Sequence, residues 1–282
     1  MTGKMLIELE KEFLRIRPKL VLVYGDTNST LAGALAAGKL NIPVVHVEAG
    51  LRSFNKRMPE EQNRIITDHL SDLLLVPTET AAQHLRSEGL GGIIHNVGDV
   101  MYDASIFYSA KAKVPAMAAR LPERFVLMTL HRAENTATRE ILQRIIDGIA
   151  AVPSMPLVFP LHPRTRIVFQ DLGISIPAHV TLIEPVGYLE MIFLEQHAEA
   201  VITDSGGVQK EAYFFRKPCG TLRSETEWTE TLSFGANQLL GADSEKIARF
   251  LSDPPQVFEW PEHYGDGHAG ERIVEVLEAF LR

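Results

Sequence analysis

The chain has 282 residues, 45% of them hydrophobic, enough to bury one large core or two medium ones. With 36 acidic against 28 basic side chains, the formal net charge is -8, and no run of Lys and Arg interrupts it. That balance argues against a nucleic-acid groove or an anionic-membrane surface. The single cysteine, Cys219, excludes a disulfide framework or a cysteine-based zinc site within one chain. No segment approaches the roughly 18 uninterrupted apolar residues of a membrane span, and no basic region leads into an apolar stretch at the start. A cytoplasmic protein without anchor or signal peptide is expected.

The chain opens on a helix, with Met5, Leu6, Leu9, Phe13 and Ile16 at helical spacing and Glu8, Lys11, Glu12 and Arg15 opposite. Arg17-Pro18 ends it, and Val21-Leu22-Val23-Tyr24 follows as the continuous apolar run of a strand covered on both faces. An Ala- and Leu-rich helix over 27–39 leads to a strand over 44–48. A polar loop and a helix over 60–70 lead to the strand 73–76, a helix from Thr78 toward Glu88, and a strand over 93–97. Strand and helix in this rhythm predict a parallel α/β sheet with right-handed crossovers.

Residues 99–124 break the rhythm. A second series then begins, with strands expected over 125–130, 157–160, 180–183 and 200–203 and helices over 138–151 and from Gly207. The last helix, 270–282, follows Tyr264-Gly265-Asp266-Gly267. The expected fold class is α/β, with two Rossmann-like domains and an interdomain cleft. The domains are placed at 1–105, joined by the C-terminal helix 268–282, and at 106–267. The first domain is expected to be incomplete at its N-terminus, because the chain starts on a helix with no strand before it.

Five groups carry candidate chemistry. Asp26 ends the first strand, where open α/β sheets place their ligands; the competing reading is that it caps the next helix. His46 and Glu48 share one strand face, and Glu48 ends its strand; the competing reading is an ion pair with Arg52. Glu60, Arg64 and Asp68 fall on one helical face, which by default reads as a solvated row of ion pairs. His131 and Arg132 close the first strand of the second half, where they suit phosphate contact and proton chemistry near neutral pH.

The sharpest group is Thr203-Asp204-Ser205-Gly206-Gly207-Val208-Gln209-Lys210-Glu211. A strand ends there in a small-residue turn that opens a helix, offering unpaired N–H groups to a diphosphate, with Glu211 one turn in. It is neither G-x-G-x-x-G nor a Walker loop. A charged loop, 223–230, holds Trp228 and reads equally as a sugar-contacting lid or as a solvated loop. With no H-E-x-x-H, cysteine cluster or acidic cage, no catalytic metal is expected.

In this order the motifs resemble the non-hydrolysing UDP-N-acetylglucosamine 2-epimerase family. The matching pieces are Gly25-Asp26-Thr27, residues 46–52, 59–64, His131-Arg132, residues 204–211, Thr226-Glu227 and residues 264–267. Residues 53–63 and Thr226-Glu227-Trp228 resemble the branch acting on diacetamido uronic acid sugars. The family opens on a strand and a Gly-Thr-Arg-Pro-Glu loop that this sequence lacks.

The resemblance implies a glycosyltransferase-B fold, a homodimer, a UDP-sugar substrate and no dissociable cofactor. It implies Asp26, Glu48, Glu60 and His131 as the catalytic group. Arg64, Arg132, Ser205, Gly206, Gly207 and Glu211 would hold substrate, mostly its UDP. The implied reaction inverts C2 by eliminating UDP to a bound glycal and adding it back. Two other readings share the UDP cradle: a glycosyltransferase of the same fold, and a fragment that binds UDP-sugars without turnover.

Overall fold

The computed structural model describes residues 1–90, 93–117 and 121–282. The chain divides into two compact units, Met1–Ala104 with Glu262–Arg282, and Ser105–Pro261. The elements of the first are α1 (Thr2–Ile16), β1 (Val21–Tyr24), α2 (Asn28–Lys39), β2 (Val44–Val47), α3 (Pro59–Leu70), β3 (Leu73–Val76), α4 (Glu79–Ser87) and β4 (Ile93–Asn96). Its sheet runs β1-β2-β3-β4, every pair parallel. β2 and β3 are buried along their whole length, as strands in a helix-covered parallel sheet are; β3 is a continuous apolar run, and β2 is interrupted only by His46.

A helix α5 (Val100–Ser109) then occupies the stretch where the sequence rhythm breaks. Its apolar and polar residues do not segregate to opposite faces, and only Ser105 is buried within it, so the periodicity that reveals a surface helix is missing.

The second unit comprises β5 (Val126–Thr129), α6 (Ala133–Thr136), α7 (Arg139–Ala150), β6 (Leu157–Pro160), α8 (Pro163–Asp171), β7 (Val180–Ile183), α9 (Tyr188–His197), β8 (Ala200–Thr203), α10 (Gly206–Phe214), β9 (Cys219–Thr221), β10 (Asn237–Leu239) and α11 (Ser244–Ser252). The sheet order is β10-β9-β8-β5-β6-β7, all parallel. The chain winds outward from β5 through β6 and β7, then returns to the other side of β5 for β8, β9 and β10. The strand order therefore reverses between β5 and β8, which are paired from Val126↔Ala200 to Thr129↔Thr203. Ligand sites of open α/β sheets lie beyond the carboxyl ends of strands at such a reversal. β9 and β10 escape the sequence reading because each has three residues, including Gly220, Asn237 and Gln238, and neither forms an apolar run.

The last helix, α12 (Ala269–Phe280), packs on the first sheet: Ile273 is buried with Val45, Val47, Leu73, Leu75 and Val97. The second sheet is covered on both faces, one core centred on Leu142, Ile145, Phe159 and Ile202, the other on Leu127, Leu194, Val201 and Ala212. Among the described residues, no helix is long and apolar enough to cross a membrane.

A buried cluster of charges fixes the loop after β2. Asp68, on α3, is fully buried and lies 2.7 Å from His46 Nδ1, while His46 Nε2 donates to the Gly25 carbonyl at 2.8 Å. The other Asp68 oxygen accepts from Gly50 N at 3.1 Å and from Arg52 Nη1 at 2.7 Å. Arg52 forks its remaining nitrogens onto the two oxygens of Glu88. Burial pushes the Asp68 carboxyl up, but His46 and then Arg52 outweigh it and hold it below the usual carboxylate range. Gly50 cannot be replaced here, since it sits at φ +82° and a Cβ would come within 2.4 Å of the Ala81 carbonyl.

Removing Asp68 would leave His46 Nδ1 and Gly50 N without a partner in a dry interior and take from Arg52 its fully buried carboxylate. Asp68→Ala is expected to cost about 3–5 kcal/mol of folding stability, read from urea unfolding midpoints. A loss below about 1 kcal/mol would show that the cluster is not what holds this loop.

Candidate active site

On the first sheet, the residues singled out by sequence gather at the carboxyl ends of β1 and β2 and the start of α3. Thr27, not Asp26, caps α2: its hydroxyl accepts from Thr30 N at 3.4 Å while Thr30 Oγ1 accepts from Thr27 N at 3.2 Å. Asp26 is thereby released from capping, and its carboxylate pairs with Arg64 Nη2. Asn63 Nδ2 holds the Asp26 carbonyl at 2.8 Å, fixing the turn from the α3 side.

Arg64 is buried to 1% exposure and bonds Glu61 at 3.0 Å as well as Asp26. Glu61 in turn accepts from the backbone N–H groups of Ser53 and Phe54 at 2.9 and 2.8 Å. The face that reads by default as solvated ion pairs is therefore an interior network. It uses Glu61 where the helical spacing points to Glu60, which is half-buried in the first turn of α3.

Glu48 follows β2 and is half-buried. Its backbone lies at φ +72°, the left-handed region that non-glycine residues rarely occupy. The conformation is held because Glu48 N and Ala49 N both donate to the Leu75 carbonyl, at 3.0 and 3.2 Å. Local strain of order 1–3 kcal/mol tends to persist where a side chain must be aimed for function. Arg52, the competing partner for Glu48, forks onto Glu88 and Asp68.

On the second sheet, the carboxylate of Asp204 organises the rim. Asp204 ends β8 and is fully buried. It accepts from His131 N at 3.1 Å, Arg132 N at 2.9 Å and Asn135 Nδ2 at 3.1 Å, and lies 3.0 Å from His131 Nδ1. These partners belong to the loop after β5 and the short helix α6 that follows it, so one side chain ties the two strand ends that flank the reversal.

Burial pushes the Asp204 carboxyl up, but His131 and the two backbone N–H groups outweigh it and hold it low. Reciprocally, the hydrogen bond to Asp204 lifts the His131 imidazole above its ordinary value, against partial burial. Asp204 and Asn135 were not singled out as site residues by sequence. The signal for Asp204 is its place between a strand and a glycine turn; for Asn135 there is none beyond its proximity to His131.

Next to Asp204, Ser205 caps α10, its hydroxyl accepting from Val208 N at 3.4 Å. Gly206 and Gly207 form the first turn, where no intrahelical carbonyl reaches their N–H groups. Gly206 must be small, since a Cβ there would meet Glu227 Oε1 at 2.9 Å and Trp228 Nε1 at 3.4 Å. The 223–230 loop is thus neither solvated nor a free lid at this point. Thr226, Glu227 and Trp228 are buried, Thr226 Oγ1 donates to Gln209 at 2.7 Å, and Lys210 Nζ sits 4.0 Å over the Trp228 ring.

Glu211 lies one turn into α10 and is 5% exposed. Burial pushes its carboxyl up, opposed by Glu195, Tyr188 and the charge of Lys210. On the other side of His131 a cavity of about 420 Å³ is lined by Thr129, His131, His162, Arg164, Pro185 and Met191, within the size range of small-molecule sites. Of the ten residues singled out, the structure places Asp26, Glu48, Glu60 and Arg64 on the first rim. His131, Arg132, Ser205, Gly206, Gly207 and Glu211 lie on the second. Among the described residues, no group of three or more His, Cys, Asp or Glu side chains is arranged to hold a metal ion.

Comparison with known proteins places this geometry. A family model described as UDP-N-acetylglucosamine 2-epimerase matches residues 1–278. The chain is 50% identical to the UDP-2,3-diacetamido-2,3-dideoxy-D-glucuronate 2-epimerase of Pseudomonas aeruginosa, over 98% of this chain and 79% of that protein. The crystal structure of Methanocaldococcus jannaschii UDP-GlcNAc 2-epimerase with UDP-GlcNAc and UDP superimposes with a TM-score of 0.90 at 43% identity, covering 99% of this chain and 80% of the other. That of the Neisseria meningitidis enzyme bound to UDP-GlcNAc gives 0.86 at 33% identity, covering 99% and 81%. The two parallel-sheet units match those glycosyltransferase-B-like structures, and the chain belongs to the UDP-N-acetylglucosamine 2-epimerase family of UDP-sugar isomerases.

Proposed function

We propose that this protein inverts C2 of a UDP-linked 2-acetamido sugar, either the N-acetylglucosamine or the diacetamido uronic acid form. The observation that carries this reading is the Asp204 clamp. It holds the His131 imidazole, whose charged form the carboxylate favours, the Arg132 loop and the N-terminus of α10 at one strand reversal, an arrangement suited to a diphosphate. Gly206 and Gly207 N–H, Ser205 and Arg132 would bind the diphosphate. Glu211 would accept the ribose hydroxyls, and the cavity beside His131 would take the base.

Inversion through a planar intermediate needs proton transfer at both faces of one carbon, hence more than one acid/base group. Asp26, Glu48 and Glu60 on the first rim supply carboxylates for it, with Arg64 fixing Asp26 and, on the sugar nucleotide, contributing to binding. A base takes the C2 proton, and the C–H electron pair forms the C1–C2 double bond. The C1–O bond breaks with its electron pair leaving on UDP, whose new charge falls to the helix N–H groups, Arg132 and His131. Re-addition of the UDP oxygen to C1, with a proton delivered to the opposite face of C2, gives the epimer. We further place the reaction in the cytoplasm, in line with one buried cysteine, and on a homodimer, in line with the family resemblance.

Proton NMR of the purified protein in heavy water tests the reading directly. With UDP-GlcNAc or its diacetamido uronic acid analogue, one substrate is expected to yield the C2 epimer carrying deuterium at C2. Neither exchange nor epimer with either sugar would overturn it. Asp26→Asn, Glu48→Gln and Glu60→Gln are each expected to lower kcat about 10²–10⁴-fold while UDP affinity changes little; loss of UDP binding in parallel would move them to substrate holding.

The clamp also sets a pH dependence. His131 has a folded value raised above its unfolded one, so its contribution is fully present below about pH 6.5 and is lost as pH rises through the raised value. Asp204 has a depressed value, so its contribution is present above the ordinary carboxylate range and is lost only on strong acidification. UDP affinity is therefore expected to fall from neutral to mildly alkaline pH in the wild type. His131→Gln should fall less steeply than the wild type over that interval, and an identical profile in the variant would contradict the assignment.

A further inference from the structure

Glu195 lies on α9 with no exposed surface, in the layer that packs α9 and α10 against the second sheet beside Leu194, Ala198 and Ala212. Among the described residues no donor group meets either of its carboxyl oxygens or Glu211 Oε1 across from it, and the two carboxyls lie within hydrogen-bonding reach of each other. An ionised carboxylate left so in a dry apolar layer would cost far more than a neutral acid. Among the described residues, the groups facing Glu195 supply no cation. They are Glu211 on α10, Tyr188 one end of its own helix away, and the Cys219 thiol on β9, which burial pushes up to about 12.

Glu211 differs from Glu195 in two respects. It is 5% exposed, and Lys210 and the Tyr188 phenol favour its charged form. Two buried carboxyls this close cannot both ionise, so the pair carries one proton. Depth and the lack of a cation assign that proton to Glu195, leaving Glu211 as the anion. Consistently, burial and then the charge of Glu211 push the Glu195 carboxyl well above the usual range.

We propose that Glu195 is a positioning residue for the nucleoside site: held as a neutral acid, it offers its O–H to Glu211 and so keeps that carboxylate anionic, oriented and able to accept a vicinal diol. The proposal rests on the reading that Glu211 receives the ribose of UDP. Nothing in the sequence indicates Glu195, because a glutamate on a short helix beside Gln196 and His197 looks like an ordinary surface residue. Ionisation of Glu195 would place a second negative charge against Glu211 and near an anionic ligand, so binding must weaken as the proton leaves.

The test is calorimetric titration of UDP into the full chain from about pH 7 to about pH 9.5, for wild type, Glu195→Gln and Glu195→Leu. Glu195→Gln keeps a donor but cannot ionise. The wild-type affinity is expected to fall by roughly tenfold more across this interval than that of Glu195→Gln, since His131 titrates in both and cancels. Glu195→Leu removes the donor and is expected to weaken UDP by about tenfold at all pH values. Overlapping profiles for wild type and Glu195→Gln overturn the proposal while leaving the nucleotide reading intact. Failure of the wild type to bind UDP overturns both. Infrared difference spectra of wild type with and without UDP at neutral pH provide a check that needs no variant. A protonated-carboxyl C=O band that shifts on binding is expected, and its absence overturns the proposal.

Discussion

The second rim depends on one buried carboxylate. Asp204 sits at the strand reversal with no exposed surface, and a charge placed there survives only if donors converge on it. Two backbone N–H groups, an asparagine amide and an imidazole do so, all from the loop after β5 and the start of α6. The consequence runs outward. Because Asp204 must be satisfied, the 131–135 loop cannot drift from the α10 turn, and Asn135 carries the restraint on to the Leu222 carbonyl at 2.9 Å. The proposed anion-binding surface would then be preorganised before any anion arrives, as electrostatic stabilisation of departing UDP would require.

The first rim is built by the same device from different parts. Asp68 draws His46, Gly50 and Arg52 together as Asp204 draws the 131–135 loop, and Arg52 extends the restraint to Glu88 on the chain after α4. Around this anchor, Arg64 and Glu61 pin Asp26 and the 53–54 backbone, while Glu48 is held at positive φ by the end of β3. The residues proposed for chemistry are therefore partly exposed, and those that hold them are wholly buried. A network of this kind adds little net stability compared with an apolar core, but it fixes geometry, and breaking one member is costly.

The fold was legible where apolar runs were continuous. β1, β3 and β6 announce themselves by four apolar residues in a row, and β2, β7 and β8 by three among four, because both faces of a parallel strand are covered. β9 and β10 are too short and too polar to do so, and α5 lacks an amphipathic period. The candidate positions came from the rule that open α/β sheets place chemistry at strand ends, and Asp26, Glu48, His131 and Ser205 do stand at such ends. Partners were not. Helical spacing pairs Arg64 with Glu60, yet a residue one position on, Glu61, is the buried one that meets it. Capping propensity offers Asp26 as readily as Thr27, and only Arg64, distant in sequence, decides between them. The burial of Trp228 depends on its packing against Gly206, a contact between segments that no local pattern encodes.

A crystal structure of this chain with UDP would test most directly whether the Asp204-clamped rim is a nucleotide site. The expected result is diphosphate oxygens within hydrogen-bonding distance of the Gly206 and Gly207 N–H groups and of Arg132, ribose hydroxyls on Glu211, and the base in the cavity beside His131. UDP bound away from this rim, or with its diphosphate out of reach of the α10 N-terminus, would contradict it.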